Sequence, residues 1–407
     1  MSEIVLKDDN LLSGLKCHCY TDRMYDADSL RRVILDAAVL DCVKPGDRVF
    51  VKPNWVQERH QTKDEWEQMI THPSVITAAI DVIVEKLAGS GSVVVGDSPM
   101  TPANFDRIVQ LMPVGLWRER CESNGISFSL VDMRNERWNT SKDGVILESV
   151  QLPGDPAGRI MYNLKDCLSE FNGKSSSPGR YYGASYDTSE TNRAHDGLNN
   201  LYEMGASVMS SDVFVNLPKL KTHKKAGMTC CLKNLVGVST NKNLLPHHTA
   251  GTPEDGGDQF ASNGASRKAE GAVTEKAKRL AKSSRIVAFL LVPLKWLAKR
   301  FWGDNRSVVR NGSWYGNDTL WRTILDLNKI LLYGEESGDV GSVIRRRYAA
   351  IVDGIVAGEG EGPLEPDRVD VGVIICGSNP AVVDAVASKV IGFDCEMIPS
   401  ISQSSAC

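Results

Sequence analysis

Lysine and histidine side chains are concentrated in one short block of the chain. Residues 216–237 read NLPKLKTHKKAGMTCCLKNLVG and include Lys219, Lys221, His223 and Lys233. Ammonium groups gathered in one site bind phosphate or carboxylate groups through charge-assisted hydrogen bonds. A lysine that is partly desolvated among other cations has a depressed pKa, so it can act as a base or a nucleophile. This lysine block therefore predicts a site for a small anion.

Polar residues also lie where other predicted strands end. Lys52 and Asn54 close one apolar run. Asp97 closes a second run and Asp353 closes a third. In an open parallel sheet, ligands bind beyond the carboxyl ends of the strands, where loops and helix starts converge. We therefore expect these side chains, together with residues 377–379 (GSN) after a further strand, to share one site with the lysine block.

The signs of the charges predict two kinds of role. His223 and Lys221 are the expected acid, base or nucleophile, and Asp97 and Asp353 are the expected catalytic carboxylates. Carboxylate oxygens also bind divalent cations, so the same edge is a candidate metal site. The expected metal ligands are Asp97, Asp353, Glu359 and Glu361. The expected anion ligands are Lys52, Asn54, Lys219, Lys233 and Asn234.

Each of these features also has a purely structural interpretation. The lysine block is consistent with a solvated basic loop, and Asp97 and Asp353 are consistent with caps of the turns that follow them. Glu359 and Glu361 alternate with glycine, as in an exposed flexible loop. A helix start or a polar loop is the structural alternative for three histidines, which are His72, His247 and His248.

Signatures of nucleotide-binding enzymes, hydrolases and cysteine-ligated cofactors are absent from the sequence. It contains neither a GxxxxGK[ST] loop nor a GxSxG elbow. The ten cysteines include no CxxC motif, so we expect neither a zinc ribbon nor an iron–sulfur cluster. Cysteines scattered singly indicate reduced thiols in a cytosol, and the opening MSEIVLKDDN lacks the pattern of a secretory signal. We therefore expect a cytoplasmic protein.

Composition places the chain among ordinary soluble proteins. Of its 407 residues, 42% are hydrophobic and 24% are charged, close to the averages for globular domains. A collagen, a disordered tail and a disulfide-stapled peptide are therefore excluded. The length is enough for two or three domains, or for one large α/β body with insertions.

Strand and helix patterns alternate along most of the chain. Short apolar runs predict strands at residues 47–52, 92–96, 127–131, 212–217, 348–352 and 371–376. Helical spacing of apolar residues predicts helices at residues 73–87, 228–236, 318–332 and 381–391. This alternation predicts an α/β fold, with a mostly parallel layered sheet and helices on both faces.

The remaining stretches predict loops and one insertion. Residues 135–200 are rich in Gly, Ser, Pro, Tyr and Asn, which indicates long surface loops and a hairpin. We expect the α/β core to comprise residues 1–240 and 317–407. A polar loop followed by a helical basic insertion is expected to fill residues 241–316.

The formal net charge of −4 hides an uneven distribution of charge. Residues 267–310 carry a net charge of +9, so the rest of the chain carries −13. Within this basic part, the segment from Lys276 to Gly303 combines lysines and arginines with Phe289, Trp296 and Trp302. It predicts an amphipathic helix that lies on an anionic membrane surface, which would place the protein peripherally on the inner membrane face.

The basic segment has three other interpretations, which are a membrane-spanning helix, a packed helical hairpin and a nucleic-acid contact. Its longest uncharged apolar run, residues 286–294, has nine residues, whereas a spanning helix needs about twenty. A helical hairpin that packs on the body or on a second subunit of a homo-oligomer is the equal alternative. Nucleic acid is not expected, because the aromatic residues group with aliphatic residues instead of interleaving with arginine.

Several motifs in order along the chain resemble a known family. They are VKPN at residues 51–54, THP at 71–73, VGDS at 95–98, the lysine block, NDTLW at 317–321, IVDGIVAGEGEGP at 351–363 and the stretch at 377–392. Together they resemble the bacterial and archaeal domain-of-unknown-function family 362, in a longer branch with a segment similar to NKNLLPHHTAGTPEDGG at residues 241–257. The resemblance implies no defined activity. Some members are attached to iron–sulfur modules, and a fainter similarity runs to lactate-racemase-like enzymes.

Three functional hypotheses follow from these features. The first is a cytosolic enzyme that transfers protons, by isomerisation or elimination, on a small anionic substrate that is phosphorylated or carboxylated. The second is a peripheral membrane accessory or scaffold without catalysis, for example in envelope polysaccharide assembly. The third is a redox accessory protein. The sequence identifies no cofactor beyond the candidate divalent cation.

Overall fold

The computed structural model of the protein describes residues 15–19, 25–141, 146–165, 168–174, 178–184, 188–262 and 311–404. The expected amphipathic helix from Lys276 to Gly303 lies outside these residues. Within the described ranges, no helix is long and apolar enough to cross a membrane.

The secondary structure of the described chain is as follows. The strands are β1 (Lys16–Cys19), β2 (Arg48–Pro53), β3 (Ser92–Asp97), β4 (Ser127–Asp132), β5 (Glu136–Thr140), β6 (Ile146–Gln151), β7 (Arg159–Asn163), β8 (Tyr181–Tyr182), β9 (Leu201–Gly205), β10 (Val213–Leu217), β11 (Lys219–His223), β12 (Gly227–Thr229), β13 (His248–Thr249), β14 (Arg347–Glu361) and β15 (Glu365–Gly377). The helices are α1 (Ala27–Ala37), α2 (Pro73–Leu87), α3 (Phe105–Gln110), α4 (Val114–Glu122), α5 (Ser189–Ala194), α6 (Ala206–Met209), α7 (Cys231–Asn234), α8 (Leu320–Tyr333), α9 (Pro380–Val390) and α10 (Pro399–Ser402). Short 3-10 turns lie at Leu235–Val238, Lys242–Leu244, Pro253–Asp255 and Cys395–Met397.

Within the described residues, a nine-stranded sheet forms the centre of the molecule. Its strands lie in the order β1-β15-β14-β10-β2-β3-β4, and β11 and β12 extend it beside the carboxyl half of β14. Strands β14, β10, β2, β3 and β4 are parallel to one another. Strand β15 is antiparallel to both of its neighbours, β14 and β1. The expected α/β fold with a mostly parallel sheet is confirmed.

Alternate side chains of the central strands enter two separate hydrophobic cores. In β2, Val49 and Val51 belong to a core beneath α1, α2 and α4, whereas Phe50 belongs to a core beneath α8 and α9. In β10, Phe214 joins the second core in the same way. Successive residues of a strand point to opposite faces of the sheet. Helices therefore cover both faces, as the sequence predicts.

The start of α2 is set by two adjacent residues. Pro73 occupies the first turn, where its missing N–H would have had no partner in the helix. His72 is the N-cap, and its Nδ1 accepts a hydrogen bond from Ser74 N at 3.2 Å. The interpretation of His72 as a residue of a helix start is therefore confirmed.

The carboxyl part of the chain corrects two expectations. The glycine-rich residues 354–363 are mostly strand, because β14 continues to Glu361 and pairs with β15 in a long antiparallel hairpin. Gly377 consequently pairs with Ala350 near the amino end of β14. Residues 377–379 therefore leave the sheet at the opposite edge from the lysine block, and the expectation that they join the site is wrong. Asn379 instead caps α9 by accepting hydrogen bonds from Ala381 N and Val382 N.

Two other stretches contain more regular structure than the sequence predicts. Residues 135–200 include the expected hairpin, β5 with β6, but also β7, which pairs with β9, and the helix α5. The expected helix at residues 228–236 is divided into β12, α7 and a 3-10 turn. Cys230 has φ −152° and ψ −146°, which lies outside the helical range and separates β12 from α7.

Candidate functional site

A buried ion pair joins the carboxyl ends of β2 and β3. The Nζ of Lys52 lies 2.8 Å from the Oδ1 of Asp97, and the two side chains are 0% and 2% exposed. Asp97 Oδ2 accepts from Trp55 N at 2.6 Å, and Lys52 Nζ donates to Pro53 O at 2.6 Å. A Cβ at Gly237 would overlap the Asp97 carboxylate and lie 2.6 Å from Lys52 Nζ. The backbone at Gly237 therefore closes directly over the pair.

A second buried ion pair joins β11 to β14. Lys219 Nζ lies 2.8 Å from Asp353 Oδ2, and both side chains are fully buried. The hydroxyl of Tyr25 accepts from Lys219 Nζ and donates to Asp353 Oδ1, each at 2.9 Å. His72 N donates to Asp353 Oδ2 at 2.8 Å, and the ring of His72 stacks on Tyr25 with centroids 3.5 Å apart. Both oxygens of Asp353 are thus occupied within the fold.

Burial and charge act against each other in both pairs. Burial lowers the pKa of Lys52, and Asp97 opposes this change. Burial likewise lowers the pKa of Lys219, with Asp353 opposing it. Burial raises the pKa of Tyr25 well above its usual range, so this side chain stays a phenol. Each lysine keeps a carboxylate partner, as a buried ammonium group requires.

A third group of basic side chains has no carboxylate of its own. We call it the basic cluster, and it comprises Lys221, Lys233, Lys242, His223 and His247. Lys221 is fully buried, and its Nζ donates to Met69 O at 2.5 Å. Burial, followed by the charges of Lys233 and Lys219, lowers the pKa of Lys221 well below its usual range.

The pKa values of the two half-buried lysines of the basic cluster, Lys233 and Lys242, are also lowered. Burial, followed by the charge of Lys52, lowers the pKa of Lys233 to about 8, while Asp97 acts to raise it. Burial lowers the pKa of Lys242 to about 7. The charge of Asp97 acts to raise this pKa, and the charges of Lys52 and Lys233 act to lower it. The carboxylate that acts on both of these lysines is Asp97, and it is already ion-paired with Lys52. The cluster therefore carries excess positive charge whenever its lysines are protonated.

The two histidines of the basic cluster are held in opposite tautomers. His223 Nδ1 accepts from the backbone N–H groups of Lys225 and Ala226 at 3.1 and 3.2 Å, so its proton lies on Nε2. His247 Nδ1 donates to Leu245 O at 2.8 Å, which leaves a lone pair on Nε2. Burial and then neighbouring lysines lower both pKa values, that of His247 to about 3. One ring thus offers a donor and the other an acceptor.

Buried asparagine side chains fix the floor of the site. Asn234 Oδ1 accepts from Asn54 Nδ2 at 3.0 Å and from Lys52 Nζ at 3.3 Å. Asn234 Nδ2 donates to Asn216 Oδ1 at 2.7 Å, and Asn216 Nδ2 donates to Tyr348 OH at 2.8 Å. The structure therefore brings the predicted anion ligands Lys52, Asn54 and Asn234 together with Asp97.

Several buried polar atoms at this edge have no hydrogen-bond partner among the described residues. They are Asn54 Oδ1, Trp55 Nε1, Ser98 Oγ and Thr229 Oγ1. An unpaired buried polar atom costs about 1–3 kcal/mol, so native proteins seldom leave several together. Thr229 is the strand partner of Lys221, and Ser98 N bonds to Gly237 O at 2.8 Å. These atoms therefore add donors and acceptors beside the basic cluster.

The four predicted metal ligands do not come together. Asp97 in β3 and Asp353 in β14 are separated by three strand spacings, roughly 14 Å, which one ion cannot bridge. Glu359 is exposed, and Glu361 forms an ion pair with Lys224. The catalytic set also divides, because Asp353 belongs to the Lys219 pair, whereas Lys221, His223 and Asp97 interact electrostatically through Lys233.

Within the described ranges, one group of side chains does meet the spacing of a metal site. The ligand atoms of Cys230, Cys231 and Asp384 lie within 4.8 Å of one another, and all three residues are buried. Asp384 already accepts from Cys231 N at 2.7 Å and from Leu232 N at 3.1 Å, so it caps α7. Burial raises the thiol pKa values, and a protonated thiol is not a metal ligand. The group is therefore explained by its role at the helix start.

Sequence reasoning missed several residues of this region. Tyr25 lies 194 positions from Lys219, and no local pattern connects the two. Lys242 lies in the segment NKNLLPHH, whose resemblance to the longer family branch was the available signal. His247 was interpreted as a residue of a polar loop and not as a member of a lysine-rich site.

Comparison with known proteins identifies relatives of this chain. The model of a family described as "Domain of unknown function (DUF362)" matches residues 49–158 and 177–389. A thylakoid-associated protein of Synechocystis sp. is 28% identical over 200 residues, which are 49% of this chain and 41% of that protein. A solved structure from Thermotoga maritima is 11% identical with a TM-score of 0.39, covering 93% of this chain and 58% of the other. The chain thus spans less than two thirds of the length of either of these proteins.

Removing a carboxylate from a buried pair should destabilise the protein strongly. We expect Asp353→Asn to lower the free energy of unfolding by ~3–5 kcal/mol, because Lys219 would remain buried without a counter-charge. The measurement is urea unfolding followed by circular dichroism. Glu122→Gln is the matched control, since Glu122 pairs with Arg118 on the surface at 54% exposure, and it should cost less than about 1 kcal/mol. Equal effects of the two substitutions would refute the structural role of the buried pair.

Proposed function

The chain belongs to the DUF362 family, whose description names no activity, and we propose from its site that it binds a small phosphorylated or carboxylated substrate and transfers a proton on it. The substrate lies at the carboxyl edge of the sheet, beside the basic cluster. Lys221, Lys233 and Lys242 bind its anionic group, and the histidines exchange protons with it. The reaction class is isomerisation or elimination.

The excess of positive charge in the basic cluster carries this proposal. Three lysines with pKa values lowered by burial and by one another lie around a carboxylate that Lys52 already neutralises. Repulsion among partly buried cations is unfavourable unless an anion relieves it. A bound phosphate or carboxylate would supply that anion and would accept a hydrogen bond from the unpartnered hydroxyl of Ser98.

The opposite tautomers of the two histidines support proton transfer. A neutral imidazole with its proton on Nε2, as in His223, can polarise or protonate a substrate oxygen. The free Nε2 lone pair of His247 can accept a proton. An anionic substrate would raise the pKa of His247 from about 3, because negative charge favours the protonated ring. The pair thus provides an acid and a base without a further group.

Neutralising one lysine of the basic cluster should weaken anion binding. We expect Lys221→Met to reduce the affinity for sulfate, a simple mimic of a phosphate group, by about tenfold or more. Isothermal titration calorimetry in buffers without other oxyanions measures this affinity. Lys389→Met is the matched control, because Lys389 is a surface residue of α9 with 46% exposure, and it should bind like the wild type. Absence of sulfate binding by the wild type would refute the proposal.

The affinity for sulfate should fall as the pH rises. Binding requires protonated lysines, and the pKa values of Lys242 and Lys233 are about 7 and about 8. The affinity is therefore full below about pH 6 and should decrease about tenfold between pH 6 and pH 9, while sulfate itself keeps its charge. Lys233→Arg should flatten the upper part of this decrease, since arginine stays protonated. A wild-type affinity independent of pH would contradict the assignment of these lysines.

We also propose a second candidate function, which is peripheral association with an anionic membrane. A thylakoid-associated relative favours it, as does the basic segment from Lys276 to Gly303 in the sequence. Thylakoids are membranes, and basic amphipathic segments bind anionic lipid surfaces. This function would be compatible with the anion site, because the two involve different parts of the chain.

Vesicle sedimentation tests the membrane association. The full chain should sediment with phosphatidylglycerol-containing vesicles, and a variant without residues 276–303 should remain in the supernatant. Neutral phosphatidylcholine vesicles control for nonspecific binding, and Lys221→Met should sediment like the wild type. Failure of the full chain to sediment, or sedimentation of the deletion variant, would refute the role of the segment.

A further inference from the structure

The helix α7 is clamped on several sides by buried polar side chains. Asp384 accepts from the first backbone N–H groups of the helix, and Asn328 Nδ2 donates to Leu232 O at 3.0 Å. Asn216 Nδ2 donates to Cys231 O at 2.9 Å. These contacts fix the backbone of a short helix that could not hold its own shape by hydrogen bonding alone. The one basic residue of α7, Lys233, is therefore placed on a rigid carrier.

The amine of Lys233 differs from the other lysine amines around it. Lys52 donates to Asp97 and to Pro53 O, Lys221 donates to Met69 O, and Lys242 donates to Val236 O. Across the part of the chain that the structure describes, Lys233 Nζ forms neither a hydrogen bond nor an ion pair. The residue as a whole is half-buried. Lys233 thus combines a fixed backbone with an amine that forms no hydrogen bond or ion pair within the described residues.

The surroundings of Lys233 favour a neutral amine. Burial, followed by the charge of Lys52, lowers its pKa to about 8, so roughly a tenth of the molecules carry the neutral amine at pH 7. A neutral amine is a nucleophile, and lysines beside another cation are used for this purpose in enzymes. Its neighbours in the basic cluster supply the charge that would hold an anionic reactant beside it.

We propose that Lys233 is a nucleophile that forms an imine with the carbonyl group of a small anionic aldehyde or ketone. This inference rests on the proposed anion site and names the substrate class of that site. The donor Nε2–H of His223 would polarise the carbonyl oxygen, and Lys221 and Lys242 would hold the phosphate or carboxylate group. The unengaged amine on a clamped helix is the observation from which it follows.

The covalent step is a condensation that releases water. The nitrogen lone pair attacks the carbonyl carbon, a C–N bond forms, and the electrons of the C=O π bond move to oxygen. One proton passes from nitrogen to oxygen and gives a carbinolamine. The hydroxyl group then leaves as water with the second nitrogen proton, and the C=N bond forms. No oxidant or reductant is needed, and protonation of the imine makes the adjacent C–H group more acidic, which suits isomerisation or elimination.

Borohydride trapping tests this proposal with a phosphorylated aldehyde as probe. Purified full-length protein is incubated with pyridoxal 5′-phosphate, reduced with sodium borohydride and analysed by intact mass and peptide mapping. We expect one equivalent of label at Lys233, protection by sulfate, and labelling at least tenfold slower with pyridoxal, which lacks the phosphate group. Lys233→Arg keeps the charge and should lose the label, while Lys389→Arg should keep it. Circular dichroism and the melting temperature verify that both variants fold.

The outcomes separate this inference from the proposed anion site. Label at Lys233 that depends on the phosphate group supports both. Equal labelling of Lys233 by pyridoxal and its phosphate supports the nucleophile and contradicts the anion site. Absence of label at Lys233 in a protein that binds sulfate by calorimetry overturns the nucleophile and leaves the anion site intact. Label distributed over surface lysines in proportion to their exposure also overturns the nucleophile.

Discussion

Burial of lysine ammonium groups is the constraint on which the carboxyl edge of the sheet depends. Moving a charge out of water is costly unless a counter-charge or hydrogen bonds compensate. Lys52 and Lys219 meet this requirement with Asp97 and Asp353. Lys221 meets this requirement only in part, through a hydrogen bond to one backbone carbonyl. The charges that lower its pKa most are those of Lys233 and Lys219. Lys52 and Lys219 are thus structural residues. Lys221, the third fully buried lysine, adds positive charge that favours the binding of an anion.

The same constraint explains why amide side chains are buried around the ion pairs. Asn54 and Asn216 each form a hydrogen bond with Asn234, so these buried amides link the site without adding charge. This arrangement connects strands β2 and β10 to the helix α7. Asp384 and Asn328 attach the same helix to α9 and α8. The helix that carries Lys233 is therefore held by strands of the sheet and by the two helices that cover one of its faces.

The sequence was sufficient to predict the parallel sheet and the edge at which polar residues gather, because both follow from short-range patterns. Runs such as SVVVG at residues 92–96 form parallel strands, and their carboxyl ends bring Lys52, Asp97 and the lysine block together. What could not be predicted depends on long-range pairing. The glycine-rich residues 354–363 form strand because β15 pairs with them, and that antiparallel pairing removes residues 377–379 from the site. The contact between Tyr25 and Lys219 has no local signature at all.

Gly237 shows how tightly the sequence is coupled at this edge. The backbone at Gly237 is not in the left-handed region, so its conformation does not require glycine. Glycine is required there because any side chain would displace the Lys52 and Asp97 groups beneath it. A substitution at Gly237 is therefore expected to be tolerated only in chains that have also given up this ion pair. The three positions are therefore coupled in space, although 45 positions separate Lys52 from Asp97 and 140 separate Asp97 from Gly237 along the chain. Divergent copies of the chain are expected to keep all three or to lose them together.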